Sequence, residues 1–368
     1  MKVRKTYLIY QDAFTAARVK TQDINIADPI SSIDVIVRMT NGAGMTEASI
    51  VKPHDEFTKI EIIDGSDVIA SGTMKEFQAL NAFETNYLPL MDLTLETSAV
   101  QVESCTIPFG LFLNDPKHFF HPKSFKNPQI RITNTLTTPS ATAWAASGHD
   151  LTVIANIMED GAEPNEGFLM TKEMFSYTEV SGAIQSIPIQ RDYPLRQILI
   201  QALKTGYGPI GSVSKIKFTC DADKYIPFDI DMLHLLQENV RVCGPFFQTL
   251  RKRITGAANI YADLYYLLKG WLTMGTTLHT ATVLTYAGET MGVEDVLQGA
   301  TDIVSTAEAL ADCEAIGYAP HSCVLLPFGK KDVPSDWLDL SSFGDIKLFL
   351  TGGAAAGLVN VITQQLRE

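Results

Sequence analysis

The stretch TKIEIIDGSDVIASGTMKEFQAL, residues 58–80, joins two short runs rich in β-branched residues to the beginning of an apolar helical pattern. Between the two runs stands Asp64-Gly65, which predicts a β-hairpin because glycine accepts the positive φ that a tight turn requires. The apolar residues that follow recur at helical spacing and predict a helix over residues 73–83. The stretch therefore predicts a hairpin followed directly by a helix.

The same combination of features occurs a second time in SKIKFTCDADKYIPFDIDMLHLL, residues 214–236. A Lys-Ile strand, an acidic turn and an apolar helical start keep the same order at a constant offset of 156 positions, from 58 to 214. Upstream, residues 28–39 resemble residues 192–203, because each segment has an acidic residue and a proline before an apolar strand. Shared features in a shared order predict an internal repeat.

Two further phrases extend the repeat towards the end of each copy. SCTIPFG (104–110) resembles SCVLLPFG (322–329), and the later strand QIRIT (129–133) resembles KLFLT (347–351). These pairs have an offset of about 218, which is 62 more than 156, so the second copy has 62 additional residues. We expect these residues to form an insertion within 237–321.

The repeat predicts an all-β fold made of two consecutive antiparallel jelly rolls, a double jelly roll, with short helices and a mixed insertion in the second roll. We place the first roll at residues 1–160 and the second at residues 161–368, with the acidic, Gly- and Pro-containing segment 158–167 as linker. A jelly roll limits exposed strand edges by pairing two sheets. Other two-sheet sandwiches fit the strand count, and the helix midway through each copy favours the jelly roll.

Composition narrows the class of protein. The 368 residues are 46% hydrophobic and 19% charged, as in packed globular proteins, and the net charge of -13 argues against specific nucleic-acid binding.

The most apolar late region, 254–278, is interrupted by Asp263 and Lys269, so we predict no transmembrane helix. The five cysteines form no CxxC pair, which favours reduced, mostly buried thiols in an intracellular setting.

The sequence HFFH, residues 118–121, contains a closely spaced pair of histidines. Such a pair on a helix could coordinate a metal ion, but Pro116 and Pro122 bracket it and predict a loop between two strands. No neighbouring cysteine or cluster of carboxylates completes a ligand set. We predict a packing role in the loop, with metal binding as the alternative.

Four other segments invite functional interpretations. GYGPIGS (206–212) is glycine-rich but lacks the Lys-Ser/Thr ending of a phosphate loop, so we predict a strand connection. FGKKDVPSDWLD (328–339) predicts a solvated loop at a subunit boundary rather than an anion site. LRKRI (250–254) predicts a solvated helix face or an intersubunit salt bridge, with phosphate or lipid headgroups as the alternative. Residues 291–317 have apolar residues at helical spacing and predict a helix inside the insertion.

Cys105 and Cys323 occupy equivalent places in the two copies, and each follows a serine. Equivalent places in neighbouring rolls lie far apart, so we predict two buried strand cysteines rather than a reactive pair. Ser104 and Ser322 have no oriented histidine and acid beside both of them. We therefore predict no catalytic, cofactor-binding or metal-binding residues, no cofactor, and no enzymatic activity.

With its repeated strand pattern, midway helices and large insertion, the chain resembles the double jelly-roll major capsid proteins of tailless icosahedral viruses. That group includes tectivirus-type phages, algal giant viruses and the adenovirus hexon. The resemblance covers the whole chain as architecture, and it carries over no residue-level site.

The resemblance implies a viral major capsid protein whose homotrimer forms a pseudo-hexameric capsomer in the virion, after synthesis in the host cytoplasm. It also implies neighbouring capsomers, vertex (penton) and minor capsid proteins and an internal membrane as partners. Lys2, Arg4 and Lys5 would then face the shell interior, and the insertion would extend from one end of the rolls as a tower. The alternative is a carbohydrate-binding or glycan-hydrolysing protein with paired jelly rolls, which would need clustered carboxylates and aromatic platforms.

Overall fold

The structure is a computed structural model, and it describes residues 2–43, 51–136, 143–204, 207–254, 258–274, 277–279, 290–293 and 309–368. Within these ranges most of the chain is strand, and the helices are short.

The described part of the first half folds into two packed sheets. Its elements are β1 (Val3–Phe14), β2 (Arg18–Asp23), β3 (Ile30–Thr40), α1 (Pro53–Glu56), β4 (Lys59–Asp64), β5 (Asp67–Gly72), α2 (Met74–Thr85), β6 (Met91–Leu95), β7 (Val100–Pro108), a 3-10 turn (Pro122–Ser124), β8 (Pro128–Asn134) and β9 (His149–Met158). The order β1-β9-β3-β7 forms one sheet and β2-β8-β4-β5 the other. Apolar side chains of both sheets bury one another in a shared core.

The second half repeats this arrangement. Its elements are β10 (Phe168–Thr178), β11 (Ile184–Pro188), β12 (Leu195–Leu203), α3 (Pro209–Ser212), β13 (Val213–Cys220), β14 (Tyr225–Asp231), α4 (Met232–Val242), β15 (Phe246–Ile254), β16 (Ala258–Tyr261), β17 (Leu264–Met274), β18 (Thr277–His279), β19 (Thr290–Val293), β20 (Ala309–Pro320), β21 (Cys323–Pro327), a 3-10 turn (Pro334–Asp336), β22 (Ile346–Gly352) and β23 (Leu358–Arg367). The order β10-β23-β12-β21 forms one sheet and β11-β22-β13-β14 the other.

The two strand orders are equivalent position by position, and they confirm the predicted double jelly roll. The hairpin predicted at Asp64-Gly65 joins β4 to β5, with Gly65 at φ +62°. Its counterpart joins β13 to β14, and the two related phrases around Cys105 and Cys323 lie in β7 and β21. The division of the chain between residues 160 and 161 stays a prediction.

Helix α2 begins and ends where its sequence provides caps. The Thr73 hydroxyl accepts the backbone N–H of Glu76, and the Glu76 carboxylate accepts the backbone N–H of Thr73 at 2.7 Å. This capping box satisfies two N–H groups that have no partner inside the helix. At the other end Asn86 takes the left-handed conformation at φ 61° and donates its N–H to the Ala82 carbonyl.

Parallel strand contacts join the two rolls. β5 of the first roll pairs with β10 of the second at Ala70 and Thr171, which creates a continuous eight-stranded sheet. β6 pairs in parallel with β15 from Leu93 opposite Leu250 onward, which extends the other sheet of the first roll into the insertion. Backbone hydrogen bonds therefore connect the rolls in addition to side-chain packing.

The described part of the insertion packs on the first roll. Phe246 meets Phe83 of α2 edge to face at 5.9 Å between ring centroids, and Leu250 and Leu264 belong to the first roll's apolar core. Residues 237–242 belong to α4, so the described strands of the insertion run from Phe246 to Pro320. The described strands of the insertion continue the first roll's sheet from β6, and the expected tower stays a prediction.

Two helical predictions inside the insertion were wrong within the described residues. Residues 250–254, predicted as a helix face, lie in β15, which pairs with β20 on one side and β6 on the other. Residues 291–293 and 309–317, taken as parts of a helix, lie in β19 and β20, and residues 294–308 lie outside the described residues. Both β15 and β20 form backbone hydrogen bonds with a neighbouring strand on each side. This pairing outweighs the helical spacing of apolar residues on which the two predictions rested.

Candidate assembly surface and buried polar clusters

A cleft of about 620 Å³ opens between the two rolls. Its floor is the outer face of β3, β7 and β9, where Asp34 accepts hydrogen bonds from the Thr106 hydroxyl at 2.7 Å and the Asn156 amide at 2.8 Å. The Asn81 side chain exchanges two hydrogen bonds of 2.7 Å with the backbone of Thr106. These floor groups satisfy one another, so the cleft carries no reactive arrangement among them.

Exposed apolar side chains lie along and beside this cleft. Leu90 is 57% exposed, Phe112 58% and Leu113 67%, and all three line it. Tyr87, close by in sequence, is 76% exposed. Adjacent large apolar side chains in water mark a surface suited to another protein, because covering them removes apolar area from solvent. We call Tyr87, Leu90, Phe112 and Leu113 the apolar rim.

A buried ion pair connects the rolls at one side of the cleft. Arg196 of β12 donates to both carboxylate oxygens of Glu84 at the end of α2, at 2.6 and 3.0 Å. The same guanidinium donates to Gln364 and to the Lys331 carbonyl, and it lies 5.7 Å from the ring centroid of Trp337. The Arg196 side chain is only 1% exposed. We call Arg196 and Glu84 the inter-roll clasp.

A second buried group of polar side chains lies where the insertion meets the first roll. His54 of α1 is hydrogen-bonded through Nδ1 to the Glu103 carboxylate at 2.9 Å, and its Nε2 lies 3.3 Å from Asp263 Oδ1. Lys52 Nζ lies 2.6 Å from the same Asp263 oxygen. His321, between β20 and β21, places its ring 4.7 Å from that of His54. We call these five residues the insertion cluster.

Charges within the insertion cluster shift its pKa values in opposite directions. Burial alone would lower the pKa of His54, but the carboxylates of Glu103 and Asp263 outweigh it and raise the pKa to about 10. Burial would raise the pKa of Asp263, and Lys52 and His54 hold it well below its usual range. Burial and the His54 charge lower the pKa of His321. His54 is therefore the charged histidine of the cluster and His321 the neutral one.

The pKa of Glu76 is raised to about 7, because burial and nearby Glu173 outweigh the hydrogen bonds from Thr73 and from Asn360 of β23. Below its ordinary value near 4.5 the carboxyl is protonated in both the folded and the unfolded chain. Between 4.5 and 7 the folded chain keeps the proton that the unfolded chain loses, so this group makes stability fall as pH rises.

We expect Glu76→Gln to remove this pH-dependent contribution. The amide keeps an acceptor for the Thr73 N–H and has no proton to lose, so the difference in melting temperature between variant and wild type should shift in the variant's favour from pH 4.5 to 7. Glu238→Gln, at an exposed position on α4, is the control and should leave the difference constant. A constant difference for Glu76→Gln would contradict the expectation; scanning calorimetry across the pH range measures it.

The histidine pair of HFFH lies in the loop between β7 and β8, as predicted. His118 is hydrogen-bonded to Asp115 at 2.9 Å, and neither His118 nor His121 belongs to the group of potential metal ligands found among the described residues. Phe120 is fully buried and stacks on Phe109 at 4.8 Å. The motif therefore contributes an aromatic anchor to the first roll.

The other residues and segments singled out in the sequence do not form one common site among the described residues. Cys105 and Cys323 are buried free thiols on separate strands, and burial raises the pKa of both. The Ser322 hydroxyl, just before β21, donates a hydrogen bond to the Ala202 carbonyl at 2.5 Å.

Of the glycine-rich segment 206–212, residues 207–212 include the single turn α3, and residue 206 lies outside the described residues. Lys331 donates to the Glu84 carbonyl at 2.9 Å, so the loop at 328–339 contacts the first roll.

Trp144 and Trp337 do not offer the aromatic platform that a glycan site needs. Trp144 is fully buried and donates to the Glu56 carboxylate at 2.9 Å, and Trp337 is 5% exposed. No helix in the described ranges has both the length and the hydropathy to cross a bilayer.

Sequence reasoning missed the inter-roll clasp and the insertion cluster. Arg196 and Glu84 stand 112 positions apart, and Lys52 and Asp263 stand 211 apart. The one local signal was the charge of Arg196 and of Asp263 inside otherwise apolar segments, and we used Asp263 only to exclude a membrane span.

No model of a known protein family matches the chain, and no curated protein sequence matches it. Solved structures match its fold over the full length. The crystal structure of the STIV MCP has a TM-score of 0.60 at 10% identity, covering 100% of this chain and 97% of that chain. An atomic structure of Sulfolobus Turreted Icosahedral Virus gives 0.61 at 10%, covering 100% and 91%. The major capsid protein P2 from bacteriophage PM2 gives 0.53 at 10%, covering 100% and 97%.

At this level of identity the comparisons establish the fold, which is that of the double jelly-roll major capsid proteins of icosahedral viruses. These neighbours are coat proteins, and they lend no support to the carbohydrate-binding or glycan-hydrolysing alternative.

Proposed function

We propose that the chain is the major capsid protein of an icosahedral virus and that it self-assembles as a homotrimeric capsomer. The observation that carries the proposal is the pair of jelly rolls with equivalent strand orders, joined through β5 and β10, which matches viral coat proteins from end to end. The function is assembly, and no residue is assigned a catalytic role.

The geometry of the chain supports a ring of three subunits. Two similar rolls held side by side give each chain two lobes, so three chains around one axis present six lobes with nearly hexagonal outline. Closed cyclic symmetry buries the same surface on every subunit and leaves none of these surfaces open. The apolar rim supplies side chains that such an interface would cover.

Neighbouring capsomers, vertex (penton) and minor capsid proteins and an internal membrane belong to the same proposal as partners in the virion. The basic residues near the start make a weak case for the membrane. Arg4 forms ion pairs with Asp28 at 3.0 Å and Glu159 at 2.7 Å, and Lys2 lies 3.8 Å from Asp160. These acidic neighbours reduce the positive field that would attract anionic headgroups.

We expect the purified protein to behave as a trimer. Three chains of 40.4 kDa have a mass of about 121 kDa, which multi-angle light scattering measures directly. Negative-stain images of the same fraction should show particles with a hexagonal outline. A stable monomer at micromolar concentration, or a dimer, would contradict the trimer.

Two variants sharpen this test. Leu113→Glu places a charge on the apolar rim and should shift the mass from trimer towards monomer, because an unpaired carboxylate resists burial in an interface. Val180→Glu, at a comparably exposed residue in the turn between β10 and β11, is the matched control. Equal trimer fractions for both variants would exclude the rim as the subunit interface.

A further inference from the structure

The insertion cluster contains the one group of potential metal ligands found among the described residues. His54, Asp263 and His321 are all buried, and one ligand atom from each lies within 4.8 Å of the other two. We propose that these three side chains bind a single divalent transition-metal ion of the zinc type. The site would join α1 of the first roll to two segments of the insertion.

The spacing between ligand atoms suits such an ion. Zinc lies about 2.0–2.2 Å from imidazole nitrogen and carboxylate oxygen, so two ligands at a tetrahedral angle lie about 3.3–3.6 Å apart. His54 Nε2 and Asp263 Oδ1 are separated by 3.3 Å. Two imidazoles with one carboxylate favour zinc over calcium or magnesium, which prefer sets made only of oxygen.

Neighbouring groups orient the ligands. The Glu103 carboxylate holds His54 at Nδ1, as carboxylates hold metal-bound histidines, so the metal-facing atom is Nε2. Nε2 releases its proton to the solvent as the ion binds, and the ion takes the place of that proton beside Asp263. Gln248 fixes Asp263 by donating to Oδ2 at 2.6 Å and accepting the Asp263 N–H at 2.8 Å. These contacts engage Oδ2 and the backbone of Asp263, so Oδ1 is the oxygen that faces Lys52 and His54.

His321 provides an independent observation. Its ring is buried, with 2% of the residue exposed, and its Nε2 atom has no hydrogen-bond partner. A buried polar atom without a partner is uncommon in folded proteins because it loses its hydration without compensation. A metal ion bound between His321 and His54 would give that atom a partner.

Lys52 competes with the ion. Its ammonium lies 2.6 Å from Asp263 Oδ1, where it supplies positive charge to the same carboxylate. A metal ion therefore binds against a neighbouring cation, and its affinity depends on that charge. Removing the Lys52 charge should therefore strengthen metal binding. Damage to the fold would weaken binding, so this test separates the two effects.

The test uses the full-length chain without a histidine tag, produced in zinc-supplemented medium because the site is buried. After exhaustive dialysis, plasma mass spectrometry should find one zinc ion per chain in the wild type and at least a tenfold smaller amount in His321→Gln. His118→Gln removes another buried histidine outside the cluster and should retain the zinc. Circular dichroism verifies that each variant is folded, and Asp263→Asn gives a second loss variant should His321→Gln unfold.

Competition with a chelator measures whether a substitution makes the chain bind zinc more tightly. Lys52→Gln should hold zinc about tenfold or more tightly than the wild type, since it removes one positive charge beside the ligands. Co²⁺ in place of zinc should give the visible absorption of a tetrahedral site, and Ca²⁺ and Mg²⁺ should not displace it. Wild type without zinc, equal zinc in wild type and both loss variants, or unchanged affinity in Lys52→Gln would each overturn the proposal.

Discussion

Glu84→Ala is expected to lower the free energy of unfolding by about 3 kcal/mol, at the lower end of the range for breaking a buried ion pair. The substitution leaves the Arg196 guanidinium, 1% exposed, without the carboxylate that accepts two of its hydrogen bonds. Glu84 itself is 19% exposed, so water partly replaces it, which moderates the loss. Urea unfolding at one fixed protein concentration measures the change, because subunit association also contributes to stability.

A matched surface pair gives the comparison. Lys215 and Asp229 lie 2.7 Å apart with side chains nearly half exposed, and Asp229→Ala should cost much less than Glu84→Ala because water screens the pair. Glu84→Gln should fall between the two, since its amide oxygen still accepts one hydrogen bond from Arg196. A loss for Glu84→Ala no larger than for Asp229→Ala would mean that the clasp does not hold the rolls together.

Phe120→Ala is expected to lower the free energy of unfolding by about 3–5 kcal/mol. Phe120 is fully buried, stacks on Phe109, and lies 5.0 Å from Phe125 and 5.8 Å from Phe168 between ring centroids. Removing its ring leaves a cavity that a neighbourhood of rigid aromatic rings fills poorly. The same urea experiment measures this loss.

Phe247→Ala is the control for Phe120→Ala, since Phe247 lies outside the apolar rim and is 51% exposed. Truncating it should cost less than about 1 kcal/mol in the isolated subunit because little packing is lost. Similar losses for the two phenylalanines would show that Phe120 is not the anchor of its loop, and that HFFH has some other role.

The fold was predictable because its signals are local and occur twice. The Asp64-Gly65 turn determines a hairpin through the φ of one glycine, and the spacing of Phe77, Leu80 and Phe83 matches the turn of α2. Each feature is weak alone, and its recurrence in β13, β14 and α4 made the repeat visible. A duplicated order of elements carries more information than any single motif in it.

The polar clusters and the insertion strands were not predictable in this manner. The partners of Arg196 and Lys52 are over a hundred residues away, and a single sequence carries no mark of which distant carboxylate a cation meets. LRKRI has charges that suit an exposed helix as well as a strand. Its structure depends on β6 and β20, which offer backbone partners on both sides, and such long-range pairing overrides local preference.

The contact between Lys52 and Asp263 can form only late in the synthesis of the chain. A ribosome makes the chain from its first residue, so β1 to β9 have all been synthesised while residue 263 does not yet exist. During that interval Lys52, 3% exposed in the finished protein, cannot yet meet the Asp263 carboxylate that lies 2.6 Å from its ammonium. The packing of the insertion on the first roll therefore forms after the strands of that roll have all been made.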